Sequence, residues 1–316
     1  MSNHSNGSNS LPEMVDPLVE SSDTASPDRL YYATGVLLDA EDFQAEQLYH
    51  RSRLARSLAY LQGGGTLAGL RVRFQPDQPA TTGTNPQPAK EEEVIVEPGL
   101  ALDRLGRLIE VPKPSCIRLK RWLVNQRKNA NSLNVHTEGS NQFVIADVFL
   151  RFVPHERGRT PAFAAGAFDA LDAVAPSRIR DSYELKLILR QEDQPQLPQQ
   201  PWHIPDSSAA SSPPKPLSTI ANSTERWTKL RDLIFDSWQS GTQHWEHDNP
   251  NRLPEQGDEK SLIHPTSLFL ARFKIPVSLD SSGKPVRTTT SPELNNDDRV
   301  FVYTTGAISS WLGIHV

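Results

Sequence analysis

The segment DAEDFQAEQLYHRSRLARSLAYLQGGG, from Asp39 to Gly65, carries a start signal, a helical period and a stop, and it constrains the fold more than any other part of the chain. Asp39 is a residue type that caps helices, Glu41 and Asp42 suit the positive end of a helix dipole, and Gly63-Gly64-Gly65 ends the run. At ~1.5 Å per residue the helix would be about 33 Å long. Counted from Phe43 at about 100° per residue, Phe43, Gln47, His50, Leu54, Leu58 and Leu61 share one face. Gln47 and His50 interrupt that apolar stripe, and the reading preferred for them is hydrogen bonding to loop backbone at the edge of the core. Ala45, Leu48, Ala55 and Ala59 on the opposite side are small enough for another element to approach closely, and Tyr49 and Tyr60 flank them. A helix with two usable faces is expected between layers or at a subunit contact. Leu48, Tyr49, Ala55, Ala59 and Tyr60 are therefore interface candidates.

After the glycines, Leu70, Val72 and Phe74 alternate with Arg71 and Arg73, the period of a half-buried strand. Residues 75–93 have turn composition and read as an inserted loop. Val94 to Val96, Leu100 to Leu102 and Leu108 to Val111, separated by turns at Pro98-Gly99 and Arg104 to Gly106, predict a compact β-meander. Asp103 and Arg107 flank the second turn and are expected to pair across it. CIRLKRWLVNQRK from Cys116 is ambiguous between strand and helix, and its basic end is either a solvated face or a site for an acidic partner. FVIADVFLRF from Phe143 reads as a central strand, SYELKLILR from Ser182 as another, and the Ala-rich stretch between them as irregular. SLFLARFKIPV from Ser267 and RVFVYTT from Arg299 predict closing strands.

The fold expected is α+β, a mostly antiparallel β-sheet with one long N-terminal helix and long Pro/Ser-rich insertions. Residues 1–28 form an arm that is disordered or bound to a partner, 29–123 a helix-plus-meander adaptor, and 124–190 further strands. Residues 191–266 are a Pro-rich insertion with a short amphipathic helix carrying Trp227, Leu230, Ile234 and Trp238, capped by Asn222, and 267–316 are C-terminal strands and tail. Trp227, Trp238 and Trp311 join the interface candidates.

No group of residues here makes a chemical motif that stands alone. Glu46 and His50, at i and i+4, have the spacing of a metal or acid/base pair but lack a third member. His244, Glu246, His247 and Asp248 lie together among Gly and Pro, where solvated histidines are the preferred reading. The single cysteine, Cys116, allows neither an internal disulfide nor a cysteine zinc site and suits a reducing compartment. A net charge of -5 gives no basic excess for nucleic acid. No apolar run approaches the ~20 residues of a membrane helix, and the N-terminus lacks a signal-peptide pattern. No catalytic residue, cofactor or metal is expected, and the chain is expected in the cytoplasm.

Gly35-Val36-Leu37-Leu38 with Asp42-Phe43, Glu46-Gln47 with Tyr49-His50, the GGGTLAG segment from Gly63 with Leu70, and VEPGLALDRLGRLIEV together form a pattern. It resembles a group of baseplate-associated proteins of phage-tail-like contractile injection systems. Its members share G-x-L-L-x-x-x-D-F, E-Q-x-Y-H, G-x-G-x-x-x-G-L and V-x-P-G-x-A-L-D-x-x-G-R. The resemblance covers Tyr31 to Val111 apart from the inserted loop, with weaker blocks at PSRIRDSYELKL and LFLARFKI. It implies a non-enzymatic structural subunit present in several symmetric copies and joined to other baseplate and tail proteins, and it leaves open an indirect membrane contact through the assembly. Two alternatives stay open. One is an envelope-degrading hydrolase using carboxylates such as Asp42, Glu46 or Asp103. The other is a glycan- or receptor-binding module using Trp202, Trp227, Trp238, Trp245 and Trp311.

Overall fold

The computed structural model describes residues 29–80, 82, 88–129, 133–161, 174–192, 203–204, 215–236, 263–264 and 266–313. It is a mixed, strand-rich α+β fold built from antiparallel sheets. The first helix, α1 (Ala40–Gln62), starts where the sequence places it. Asp39 Oδ1 accepts from the amides of Glu41 and Asp42 at 2.9 and 3.1 Å, and the Asp42 carboxylate accepts from the Asp39 amide at 3.0 Å. This reciprocal capping box satisfies amides that a helix start leaves without partners. Gly63 closes the other end, its amide donating to Ala59 O at 3.0 Å.

Strands begin earlier than the glycine run suggests. The chain forms β1 (Gly65–Gly69) and β2 (Val72–Gln75), then β3 (Glu93–Val96) and β4 (Gly99–Leu102), β5 (Leu108–Val111) and β6 (Ser115–Arg118). The meander expectation needs correction here, since β3 does not pair with β4. One three-stranded sheet has the order β1-β4-β5 and another β2-β3-β6. From Gly69↔Gly99 to Phe74↔Val94 the register is continuous, so β1 with β2 and β3 with β4 form one antiparallel ribbon folded at a corner. At the corner the Leu70 amide donates to Pro98 O at 3.1 Å, and the Glu97 amide to Arg71 O at 2.9 Å. The backbones cross so closely there that a Cβ on Gly69 would lie 2.9 Å from Gly99 Cα, and one on Gly99 would lie 2.5 Å from the Leu70 nitrogen. The glycine pair reflects this close crossing of two backbones.

The larger sheet is formed by β7 (His136–Glu138), β8 (Asn141–Pro161), β9 (Val174–Leu189), β12 (Leu268–Leu279), β13 (Pro285–Arg287) and β14 (Glu293–Asn295). FVIADVFLRF lies in β8, which pairs with both β9 and β12 and is central, as its apolar character predicts. β9 starts at Val174, well before Ser182, so part of the stretch read as irregular is strand. RVFVYTT makes only an isolated parallel bridge, Phe301 to Thr66, with Val302 N donating to Thr66 O at 2.9 Å. One apolar cluster joins Leu70, Val72, Val94 and Ile109 from the small sheets with Val148, Leu150, Phe273 and Ile275 from the large one. The basic stretch after Cys116 resolves as β6 followed by α2 (Leu119–Asn129). Leu119 and Leu123 of α2 are buried in this core, and Trp122 Nε1 donates to Leu187 O at 2.7 Å.

The face of α1 that meets the protein is the small one. Ala55 is buried, and a Cβ on Gly106 would come within 2.7 Å of the Ala55 carbonyl carbon and 2.8 Å of the Ala59 nitrogen. Phe43, Leu54 and Leu61, expected on the core side, are exposed by 51, 62 and 78%. Gln47 and His50 are exposed as well, so they do not fix the helix to a sheet edge. The reason is geometric: the turn at Gly106 presents bare backbone, and only alanine lets a helix reach it.

The remaining elements are a short pair, β10 (His203–Ile204) with β11 (Lys215–Pro216), α3 (Ser223–Asp236) and α4 (Thr305–Trp311). Asn222 caps α3, its Oδ1 accepting from the Thr224 and Glu225 amides at 2.9 and 3.2 Å.

Candidate functional site

At the start of α1, the Tyr32 hydroxyl donates to Glu46 Oε2, and this bond raises the phenol above its usual range. His50 Nε2 stands 3.9 Å from Glu46 Oε1. The predicted Glu46–His50 neighbours are therefore adjacent, but the near partner of Glu46 is Tyr32, which clips the chain before the helix onto its second turn. Asp42 is occupied by the cap. Among the described residues no group of three or more His, Cys, Asp or Glu side chains could hold a metal ion. The His244, Glu246, His247 and Asp248 group lies outside the described residues.

Asp103 and Arg107 do pair across their turn. Arg107 Nε donates to Asp103 Oδ2 at 2.6 Å, and Asp103 Oδ1 accepts from the Leu105 and Arg107 amides at 3.0 and 2.9 Å. The guanidinium also lies 4.6 Å from the centre of the Phe152 ring. Burial pushes the Asp103 carboxyl above the usual aspartate range, with Arg107 and the two amides opposing it. With both oxygens engaged and no exposed surface, this carboxylate holds a turn.

Three further polar assemblies escape a reading of the sequence. In the first, buried Asp147 on β8 faces Arg272 on β12. Arg272 donates from Nε and Nη2 at 2.8 Å each, and Arg190 adds Nη1 to Oδ2 at 2.5 Å. Arg190 in turn reaches Glu192 at 3.2 Å, and its amide donates to Ile145 O at 2.9 Å. Second, buried Arg299 donates to Leu70 O at 2.7 Å and to Asn296 O at 3.0 Å, while the Asn296 side chain pairs with both the amide and the carbonyl of Val72. This brace holds the ribbon corner at Leu70, whose φ is +55°. Burial lowers Arg299 to about 10. Third, buried Glu92 stands 3.1 Å from Arg287 Nε, and burial raises its carboxyl, with Arg287 opposing. The only hint in the sequence was a lone Asp147 within an apolar strand.

The basic end of the Cys116 stretch is met by the chain's own carboxylates. Lys120 pairs with Asp77, Arg121 with Glu91 at 2.6 Å, and Arg127 with Asp280. Likewise Arg73 pairs with Glu97.

Large apolar side chains also stand open to solvent. On α1 and the segment before it, Tyr31, Val36, Leu37, Phe43, Leu54 and Leu61 are exposed, Leu37 by 94%. On α3, Trp227, Ile234 and Phe235 are exposed, and on α4 Trp311 reaches 85%. Of the interface candidates, Trp227, Trp311 and Tyr60 are exposed, Leu48, Tyr49 and Ala59 are half-buried, and Ala55 is buried against the chain's own turn. Trp238 lies outside the described residues, as do Trp202 and Trp245. Sequence periodicity detected Phe43, Leu54 and Leu61 but assigned them to the core. No helix among the described residues is long and apolar enough to cross a membrane. No known protein family matches the chain, and no curated protein sequence is detectably similar to it.

Proposed function

We propose that this chain is a non-enzymatic structural subunit of the baseplate of a contractile injection system, present in symmetric copies and joined to baseplate and tail neighbours. The observation that carries the reading is the set of large apolar side chains that α1, α3 and α4 hold out to solvent, a pattern that marks protein contact surfaces. The residues of the resemblance support it in a second way. Asp42 caps, Gly69 and Gly99 let the ribbon fold, Gly106 seats α1, and Asp103 with Arg107 lock a turn, so the shared pattern specifies a scaffold with outward faces. Contact with a membrane, in this reading, runs through the assembly.

The test is cross-linking mass spectrometry on purified contractile particles from the source cells. The chain is expected as a stoichiometric component, cross-linked near α1 and α3 to sheath or baseplate subunits. Its absence from intact particles would overturn the reading.

A further inference from the structure

We infer that the acidic segment of residues 13–28 docks within the same molecule on a cationic face of the arm formed by β8 and β9. β8 pairs with β12 only as far as Leu150↔Leu268, whereas its pairing with β9 continues to Pro161↔Val174. From Arg151 outward the structure is therefore a two-stranded ribbon, about 36 Å long at ~3.3 Å per residue. Directly opposed residues of an antiparallel pair lie on one face, and faces alternate along each strand. His155 opposite Arg180 and Arg157 opposite Arg178 consequently share one face, while Glu156 and Asp181 lie on the other.

At the foot of the arm the same face obeys charge pairing, with Arg151 opposite Glu184 at 2.9 Å. Further out it does the opposite: two guanidiniums stand across from one another, an arrangement that disfavours the ribbon unless an anion covers it. Arg157, Arg178 and Arg180 are exposed, and no carboxylate pairs with them among the described residues.

The chain carries a matching anion. Residues 1–28 contain Glu13, Asp16, Glu20, Asp23 and Asp28 and no Lys or Arg, so the whole formal net charge of -5 resides there and the remaining residues balance. Reach is sufficient. α1 sits on the Gly106 turn, and Arg107 of that turn stacks on Phe152 near the foot of the arm, on the face opposite Arg157 and Arg178, so the segment must pass around the edge of the ribbon to reach them. Along α1 the distance from Ala55 back to Ala40 is about 23 Å, and residues 13–28 extend up to about 53 Å. The inference requires only this chain and stands apart from the baseplate reading.

Hydrogen exchange on the full-length protein tests it. In 50 mM salt, peptides covering residues 13–28 and 174–181 are expected to exchange about tenfold more slowly than in 0.5 M salt, where surface charges are screened. Arg178→Glu with Arg180→Glu should abolish the slowing in residues 13–28 while the near-ultraviolet circular dichroism stays native. Adding Glu20→Arg and Asp23→Arg to that variant should restore it. Slowing of residues 13–28 that survives the double arginine reversal would overturn the proposal, as would exchange at the intrinsic rate in low salt. Protection that rises with protein concentration would also overturn it, assigning the segment to a neighbouring copy. So would an arm protected only on adding duplex DNA, which would make it a nucleic-acid surface.

Discussion

Single residues decide where the backbones of this protein cross. Gly106 combines φ +79° with a neighbour, Ala55, that leaves no room for a Cβ, whereas Gly35 has φ +89° and nothing within 4 Å. Gly106→Ala is therefore expected to lower the unfolding free energy by ~3 kcal/mol, and Gly35→Ala by only ~1 kcal/mol, the backbone term alone. Urea denaturation of the two variants separates them, and equal losses would show that α1 does not depend on this contact. Asp280 acts at the same scale. Its Oδ1 accepts from Ser282 Oγ at 2.6 Å and from the Ser282 and Lys284 amides at 2.9 and 3.0 Å, and Oδ2 meets Arg127. Led by the Ser282 hydroxyl and the Lys284 amide, these partners lower its pKa to about 2 from an ordinary 3.8. A depressed carboxylate stabilises the fold above its unfolded pKa, and that contribution disappears as pH falls through the folded value. The stability difference between wild type and Asp280→Ala should accordingly be constant above about pH 5 and shrink between about pH 4 and 2. Denaturation midpoints measured across that range check it, and a difference independent of pH would contradict the assignment.

At the level of elements, both ends of α1 and the start of α3 were legible because caps are local: the side chain and the amides it satisfies lie within three residues. The orientation of α1 was not legible. Periodicity shows that Phe43, Leu54 and Leu61 share a face, but which face is covered depends on the bare turn at Gly106, more than 40 residues on in the chain. Leu54→Glu and Leu61→Glu should leave thermal stability within ~0.5 kcal/mol of wild type, while Ala55→Leu, forced against that turn, should cost ~2 kcal/mol or more. Thermal melts of the three variants decide the matter; a large loss at Leu54 would place the core on the other side of the helix. The strand errors have a similar cause. β3 and β4 adjoin in sequence and alternate correctly, yet Pro98-Gly99 is a fold in a ribbon and not a hairpin turn. A short turn-forming pair looks the same in either role.

Across the whole molecule, the apolar cluster draws on strands from Leu70 to Val277, and the Asp147 assembly ties β8, β12 and the end of β9 beneath it. Asp147→Asn would leave two arginines without their buried counter-charge, Arg190 being 1% and Arg272 16% exposed. A loss of about 3–5 kcal/mol is expected, with little relief from added salt because the pair is shielded from water. Equilibrium denaturation with and without 0.5 M salt measures both, and a loss below ~1 kcal/mol would mean that the arginines find other partners. Arg299 tells the same story at the ribbon corner, which lies more than 220 residues from it in sequence. What the amino-acid sequence determined alone is local: where α1 and α3 begin, that the runs in the middle of β3, β4, β5, β8 and β12 are strands, that Asp103 and Arg107 close a turn, and that the chain is a strand-rich α+β protein. Only the tertiary structure decided which face of α1 is buried, how the ribbon divides between two sheets, that Arg190 and Arg272 converge on Asp147, and that Arg299 reaches the Leu70 carbonyl. Those choices depend on backbone approach and charge pairing between segments far apart in the chain, and local pattern carries no term for either.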